Sequence, residues 1–354
     1  LKNKIIVLLK ISVLSALGTG IQLLFLGSLT PILIIFLAYL IILKKRKIRE
    51  ILIDLIIYFI FFYLILVLFW VDTHNNIFIL PFSFLLDSFS LDVGWPFNLT
   101  NNKYTFSREV TSFYLLINYF YKLPEFIIFL YLVTLPVFIL NYKKLKDKFD
   151  NFFLKILLLT TLLIFPHLIL IFIKYPIYDG LRLFLWATPY LVIIPSITLY
   201  SVMMEKKSFF LITKVILFFL FALHLYNFIK LTPYHYTYLN YLSGDANKGY
   251  QKFENDYWSI SLKELILSSN LKGAKINFSV CGVNASVAKI YMKQKYKNVE
   301  YVGINNADYV IMTNRTLYSE KNQSISNCYD EYDFQNVAEV KRNGLVLSAI
   351  KKIR

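Results

Sequence analysis

Charged residues are scarce in this chain of 354 residues. Asp, Glu, Lys and Arg make up 17% of it and hydrophobic residues 57%, whereas soluble domains carry roughly 25% charged residues. This balance argues against a soluble globular protein and predicts an integral membrane protein.

Several signatures of catalysis and cofactor binding are also missing. The chain has four histidines with no spacing typical of metal ligands. It has no Gly-rich phosphate loop, no Ser/His/Asp signature and no internal repeat. We therefore predict no metal and no cofactor. Low Gly and Pro with abundant Ile, Lys and Asn are typical of an AT-rich bacterial genome, which favours a bacterial plasma membrane as the location.

What the chain does contain is long apolar blocks. A membrane-spanning helix needs about 17 to 25 residues, and about seven blocks approach or reach that length. They are Ile5–Phe25, Leu29–Leu43, Ile51–Val71, Phe126–Leu140, Phe152–Ile173, Leu183–Met203 and Phe209–Ile229.

The net charge of +16 does not predict nucleic-acid binding, because the basic residues cluster between the apolar blocks. Short basic loops stay cytoplasmic. Three such clusters lie between the blocks, and because successive spans cross the membrane in alternate directions, all three lie on one side. Asp72–Pro124, Lys174–Arg182 and everything after Ile229 then face outward. The clusters are Lys44-Lys45-Arg46-Lys47 with Arg49, Lys143-Lys144 with Lys146 and Lys148, and Lys206-Lys207.

The C-terminal third has another composition, rich in Lys, Asn and Asp with short apolar runs. Residues 1–230 are thus predicted to form the membrane region and residues 231–354 an outer domain. The predicted fold is a mostly α, polytopic transmembrane bundle with a small C-terminal α/β extracytoplasmic domain whose sheet is partly parallel. Predicted strands are Ala274–Val280, Val299–Ile304, Ala307–Thr313 and Gly344–Ile350, and predicted helices are Ser259–Ser269 and Ala285–Tyr296.

Two cysteines, Cys281 and Cys328, both lie in this outer domain. An oxidising compartment would permit a disulfide between them. Two unpaired thiols are the alternative, because the sequence does not fix their separation.

Two outer segments carry polar residues that a bilayer anchor does not need. Asp72–Pro124 is rich in aromatics and holds Asp87, Asp92, Arg108 and Glu109. It fits an amphipathic or re-entrant segment as well as a substrate groove. In Tyr175–Arg182, the Arg182 side chain could reach toward water from the membrane boundary or bind a lipid phosphate, with Asp179 orienting it.

Three strings resemble segments of bacterial membrane glycosyltransferases. Tyr178-Asp179-Gly180-Leu181-Arg182-Leu183-Phe184-Leu185 with Pro189 resembles their "YDGLRHFLF…P" segment. Residues 233–264, including Phe253-Glu254-Asn255-Asp256-Tyr257-Trp258, resemble "PYQYVYFN…G…RFELDYWGLSLKEA". Phe106–Pro124 is similar to "…Y…SDELPWYYLPVWLLIKTPLP", with Glu109 at an acidic position. The family is the GT-C fold, family 39-like group related to protein O-mannosyltransferases and aminoarabinose transferases. This chain departs from the family at two positions: Leu183 stands where the family has His, and Lys252 stands where it has Arg.

The resemblance implies an enzyme that moves a sugar from a polyprenyl-phosphate donor to an acceptor at the outer membrane face. Its expected partners are that donor, an acceptor and membrane lipid. In this family the catalytic base is an Asp in the first outer loop. Ala16-Leu17-Gly18-Thr19 resembles a mid-protein span, so we expect that Asp to lie upstream of residue 1. The expected substrate-binding residues are Tyr178, Asp179, Arg182, Arg108, Glu109, Glu254, Asp256 and Trp258.

Two other classes of protein remain as alternatives. A transporter or flippase of lipid-linked intermediates would show inverted repeats and charged residues at the midplane. A non-catalytic envelope scaffold would use the outer domain as a binding module. The stretch from Phe253 to Trp258 is likewise open to two interpretations, because it could line the substrate site or only join the last span to the outer domain.

Overall fold

The computed structural model describes residues 2–23, 25–44, 46–90, 94–172 and 175–353. Asp92, the basic residue Lys45 and the predicted end of a span at Ile173 lie outside these residues.

Seven helices in the described part of the chain are long and apolar enough to cross a membrane. This confirms the predicted number of spans and the mostly helical fold. A helix bonds all its backbone groups internally, as the bilayer core requires, so each apolar block becomes one helix. They cover Lys4–Ile21, Phe25–Leu43, Ile48–Phe69, Glu125–Lys148, Phe152–Phe172, Arg182–Met204 and Ser208–Leu231.

Shorter elements lie between these spans, mainly in the predicted outer segment. Residues 39–43 at the end of the second span form a π-helix. The elements up to Leu231 are α1 (Lys2–Ile21), α2 (Phe25–Ala38), α3 (Ile48–Phe69), α4 (Leu80–Ser90), β1 (Phe97–Thr100), β2 (Lys103–Phe106), α5 (Tyr114–Lys122), α6 (Glu125–Lys148), α7 (Phe152–Phe172), α8 (Thr188–Met204) and α9 (Ser208–Leu231).

The C-terminal domain contains one five-stranded sheet of mixed direction. Its strand order is β4-β3-β5-β9-β8, with β3 parallel to β4 and β5, and β9 antiparallel to β5 and β8. The partly parallel sheet of the prediction is confirmed. The elements are α10 (Gly249–Lys252), α11 (Leu262–Ser268), β3 (Ile276–Cys281), α12 (Ala285–Lys295), β4 (Val299–Tyr301), β5 (Tyr309–Thr313), β6 (Thr316–Ser319), β7 (Ser324–Asn327), α13 (Cys328–Glu331), β8 (Gln335–Arg342) and β9 (Leu345–Lys352).

The core of this domain forms where helices cover the sheet. All five residues of β5 are buried, because apolar clusters cover both faces of this central strand. Leu265, Ile266 and Met292 pack with Phe278 and Ile311 in one apolar cluster. Burying such side chains contributes about 1.5 to 3 kcal/mol each, so this core can hold the nearby polar segments in place.

The chain divides into two compact units. The first contains Leu1–Gly94, Thr134–Tyr175 and Leu183–Thr198, and the second contains Trp95–Val133, Pro176–Arg182 and Leu199–Arg354. The second unit thus includes the segments around β1, α5 and Asp179 together with the C-terminal domain. The predicted division between membrane and outer regions near residue 230 stays a prediction.

Within the second unit, hydrogen bonds join the segments around β1, β2 and Ile177 to each other. Asn98 Nδ2 on β1 donates to the Ile177 carbonyl at 2.8 Å, and the Ile177 amide donates to the Ser107 carbonyl at 2.9 Å. Thr100 forms a β-bridge with Phe253. These bonds fix residues 177–182 beside β1 and beside the stretch that begins at Phe253.

Candidate functional site

The site begins with a tight turn at Asp179 and Gly180. Both residues have positive φ, +58° and +64°, a conformation that glycine adopts easily and aspartate more readily than most residues. A Cβ on Gly180 would lie 2.2 Å from Lys122 Nζ and 3.3 Å from Asn118 Oδ1. Glycine therefore serves both the turn and the close approach of α5.

Asp179 is buried and shared between two arginines. Its Oδ2 accepts from Arg182 Nη1 at 3.0 Å, and its Oδ1 accepts from Arg315 Nη1. Arg182 lies in the same turn, whereas Arg315 comes from the segment between β5 and β6. The Asp179 carboxylate thus joins the Tyr178–Arg182 segment to the C-terminal domain.

Arg182 forms the accessible edge of this cluster. Its side chain is 38% exposed, and its guanidinium lies over the Trp258 ring at 4.4 Å and the Tyr178 ring at 5.9 Å. Trp258 is itself exposed. Stacking and the Asp179 bond orient the guanidinium, and its remaining N–H donors can bind an anion.

Arg315 lies on the buried side of the same carboxylate. Its Nε is 3.7 Å from Glu254 Oε1, and its guanidinium lies over the Trp95 ring at 4.5 Å. The neighbouring residue Asn314 donates to the Phe253 carbonyl at 2.6 Å and accepts from the Asn255 amide at 2.9 Å. The segment carrying Arg315 is therefore fastened to the segment carrying Glu254.

Glu254 is a buried carboxyl with one bonded and one free oxygen. Oε1 accepts from the Thr316 amide and hydroxyl at 2.9 and 2.8 Å, while Oε2 has no hydrogen-bond partner in the described part of the chain. Burial raises the pKa of Glu254, and the Arg315 charge and the Thr316 bonds oppose that rise.

Helix α5 presents a polar face to the Asp179–Gly180 turn. Tyr114, Asn118 and Lys122 are spaced four residues apart, so they lie on one side of the helix. The Tyr114 hydroxyl and Asn118 Oδ1 are buried and have no hydrogen-bond partner among the described residues. Three polar groups in a row, two of them unsatisfied, are the arrangement expected of a site that water or a ligand completes.

Lys122 is the cation on this face. Its pKa is lowered to about 8 because burial disfavours the charged form, and the negative charges of Glu254 and Asp179 limit the shift. Its ammonium lies 5.5 Å from the centre of the Phe253 ring. Near neutral pH, Lys122 is therefore charged but loses that charge with a modest rise in pH.

Asp256 has different contacts from Glu254 and Trp258. It is fully buried and accepts from the amides of Ile260 and Ser261 at 2.8 and 2.9 Å, as well as from the hydroxyls of Tyr236 and Ser261. These bonds hold the turn that leads into α11. Glu254 and Trp258 thus belong to the cluster. Asp256, from the same stretch, instead stabilises the turn that leads into α11.

Arg108 and Glu109 lie in the turn after β2, and both are exposed. The Glu109 amide donates to the Phe106 carbonyl at 2.9 Å. Their expected contact with substrate stays a prediction.

Two members of the cluster, Arg315 and Lys122, were missed by the sequence analysis. Arg315 sits in an ordinary polar string of the C-terminal domain, and nothing local marks it. Lys122 carried a usable signal, since Tyr114, Asn118 and Lys122 are polar residues at helical spacing in an otherwise apolar stretch.

A disulfide joins Cys281 to Cys328, which answers the question that the sequence left open. Cys328 donates its amide to the Arg315 carbonyl at 3.0 Å, and the disulfide connects the end of β3 to the start of α13. The bridge therefore anchors the backbone next to Arg315.

Comparisons with protein-family models, with curated proteins and with solved structures find no match to this chain. Among the described residues, no group of three or more His, Cys, Asp or Glu side chains is arranged to hold a metal ion.

Proposed function

We propose that this chain is part of a membrane glycosyltransferase, which moves a sugar from a polyprenyl-phosphate donor to an acceptor at the outer face of a bacterial plasma membrane. The observation that carries the proposal is the cluster of Arg182, Arg315 and Lys122 around two carboxylates, edged by Trp258. The resemblance of the Tyr178–Arg182 and Phe253–Trp258 strings to that enzyme family supports the same assignment.

The charges of the cluster favour an anionic ligand. Three cations, Arg182, Arg315 and Lys122, face two acidic groups, Asp179 and Glu254. A net positive charge therefore remains. A guanidinium binds phosphate oxygens through paired N–H donors, and Arg182 is the arginine with an exposed side.

The aromatic side chains fit the sugar part of such a donor. Trp258 is exposed beside Arg182, and Tyr178 and Tyr257 lie nearby. Burial raises the pKa of Tyr257 to about 12, so its hydroxyl stays protonated and can donate to a sugar oxygen. Aromatic rings also offer flat apolar faces to a pyranose ring.

The basic loops and the disulfide support the proposed orientation. Basic clusters follow the second, fourth and sixth spans, and such loops are retained in the cytoplasm. Disulfides persist in oxidising compartments outside the cytoplasm. Both features favour a C-terminal domain on the outer side of the membrane.

The direct test is sugar transfer by the full-length protein in membranes supplied with radiolabelled polyprenyl-phosphate sugars. We expect transfer by the wild type and its loss in Arg182→Ala. Arg342→Ala is the matched control, because Arg342 also pairs with a carboxylate, Glu264, and lies over a tyrosine ring but belongs to another part of the domain.

Transfer that survives in Arg182→Ala would contradict the assignment of this residue. If the wild type consumes no donor, the enzyme proposal fails, and a flippase of lipid-linked intermediates or an envelope scaffold replaces it. Movement of the donor across vesicles without transfer would identify the flippase.

A further inference from the structure

A cavity lies in the first compact unit, between α1, α2 and α3. Its volume is about 610 Å³, which lies within the range of roughly 300–1,000 Å³ that is typical of small-molecule sites. It follows α1 from Lys4 to Ser15 and α2 from Leu29 to Leu40, and most of its lining side chains are aliphatic. None of the residues that line it takes part in the Asp179 cluster.

The depth of this cleft matches one leaflet of a bilayer. Lys4 and Ser15 are eleven residues apart on α1, which corresponds to about 16 Å at 1.5 Å per residue. The hydrocarbon core of a membrane is about 30 Å thick. With Lys4 at a membrane surface, a cleft of this length reaches about the midplane.

The charged groups of the cleft are confined to one end. Asp54 lies 2.5 Å from Lys4 Nζ and 3.1 Å from Arg46 Nη1, and Arg46 lies 3.4 Å from Glu50. Lys4 and Arg46 keep 44% and 28% of their side-chain surface exposed. Both cations can thus accept a further anionic partner without leaving Asp54.

The sequence adds further positive charge at this end. Residues 44–49 contain five Lys and Arg residues, and clusters of this kind next to a span attract anionic lipids. The π-helix Tyr39–Leu43 leads into this segment, and its residue Leu40 lines the cleft. π-Helical turns are rare and frequently occur at functional sites.

We propose that this cleft binds an anionic phospholipid from the membrane leaflet at the Lys44–Arg49 end. One acyl chain lies between α1, α2 and α3, and the phosphate contacts Lys4 and Arg46. An apolar channel of leaflet depth, whose charged residues Lys4, Arg46 and Asp54 lie at its mouth with basic residues 44–49 beside them, matches the two parts of such a lipid. This site is independent of the proposed sugar transfer.

The test uses the full-length protein in nanodiscs that contain equal amounts of phosphatidylglycerol and phosphatidylcholine, with bound lipid counted by native mass spectrometry. We expect the wild type to retain phosphatidylglycerol in preference. Lys4→Gln should reduce that retention about fivefold, since one basic residue near the surface contributes about 1 kcal/mol. Lys10→Gln, on α1 but outside the cleft, should leave it unchanged.

Two further variants that fill the cleft, and one control, test the acyl-chain channel. Leu33→Trp fills the cleft and should reduce lipid retention at least tenfold, whereas Ile34→Trp, its exposed neighbour outside the cleft, should not. Ser15→Leu fills a smaller part of the cleft, at its deep end, and should also reduce lipid retention. Equal retention of the two lipids by the wild type, or full retention in both filled variants, would overturn the proposal.

Discussion

At the scale of single residues, the buried charges of the site depend on Arg315. It contacts both Asp179 and Glu254 and is itself almost fully buried. Two carboxylates removed from water keep their charge only beside a cation. Arg182 can balance only part of this charge, because it contacts only one of them and lies at the exposed edge.

Replacing Arg315 by Met should therefore destabilise the protein strongly. We expect a loss of about 3 to 5 kcal/mol, the usual cost of removing one partner of a buried ion pair, measured by denaturant unfolding in detergent micelles. Arg342→Met should cost about 1 kcal/mol or less, because the Arg342–Glu264 pair is partly exposed. Similar losses in the two variants would contradict the role given to Arg315.

Lys122 should make donor binding depend on pH. Its pKa of about 8 means that the ammonium is charged below pH 8 and neutral above it, whereas a phosphodiester keeps its negative charge throughout. Donor affinity of the wild type should therefore fall as the pH rises from 7 to 9, as followed by equilibrium binding of a fluorescent polyprenyl-phosphate sugar.

Two substitutions separate this effect from other titrations. Lys122→Arg should keep the affinity and lose the pH dependence, because guanidinium stays charged. Lys122→Met should bind the donor at least about tenfold more weakly at pH 7, since a charge-assisted hydrogen bond contributes about 1.5 to 3 kcal/mol. A fall above pH 8 that persists in Lys122→Arg would assign the titration to another group.

These residues also show how far sequence reasoning reaches at a site. Asp179 and Arg182 are three residues apart, so their pairing could be foreseen from a local string. Arg315 is 136 residues from Asp179, and only the folded sheet brings it there. Asp256 was expected at the site with Glu254, but the two side chains of this extended stretch have different partners.

At the scale of elements, spans were predictable because each is a continuous apolar block between basic or polar residues. The strands β3, β5 and β9 were predictable for the same reason. β6, β7 and β8 were missed, since they are short or mainly exposed and carry no apolar pattern. β1 and β2 lie in a segment whose aromatics suggested an amphipathic or re-entrant segment along the membrane face, without indicating strands.

The disulfide should stabilise the element that carries Arg315. It closes a loop between residues 47 positions apart, for which chain entropy predicts roughly 4 kcal/mol. The double variant Cys281→Ser with Cys328→Ser should lose about 2 to 5 kcal/mol of stability and bind the donor more weakly. Ser286→Ala with Ser324→Ala, a pair of substitutions outside the cluster, is a suitable control.

At the scale of the whole molecule, the distribution of charge predicts the orientation in the membrane. Single cysteines introduced at Lys47 and Lys206 should resist a membrane-impermeant maleimide in intact cells, whereas a cysteine at Glu109 should react. The native cysteines form a disulfide and do not compete for the reagent. Labelling of all three positions from one side would contradict the topology and with it the outer location of the site.

We propose that the cluster of Arg182, Arg315 and Lys122 around Asp179 and Glu254 binds the donor phosphate. The most direct measurement is the equilibrium affinity of polyprenyl phosphate for the wild type, Arg182→Ala and Arg342→Ala in nanodiscs. We expect the affinity to fall about 10- to 100-fold in Arg182→Ala and to stay at the wild-type value in Arg342→Ala. Equal affinity of Arg182→Ala and the wild type would contradict it.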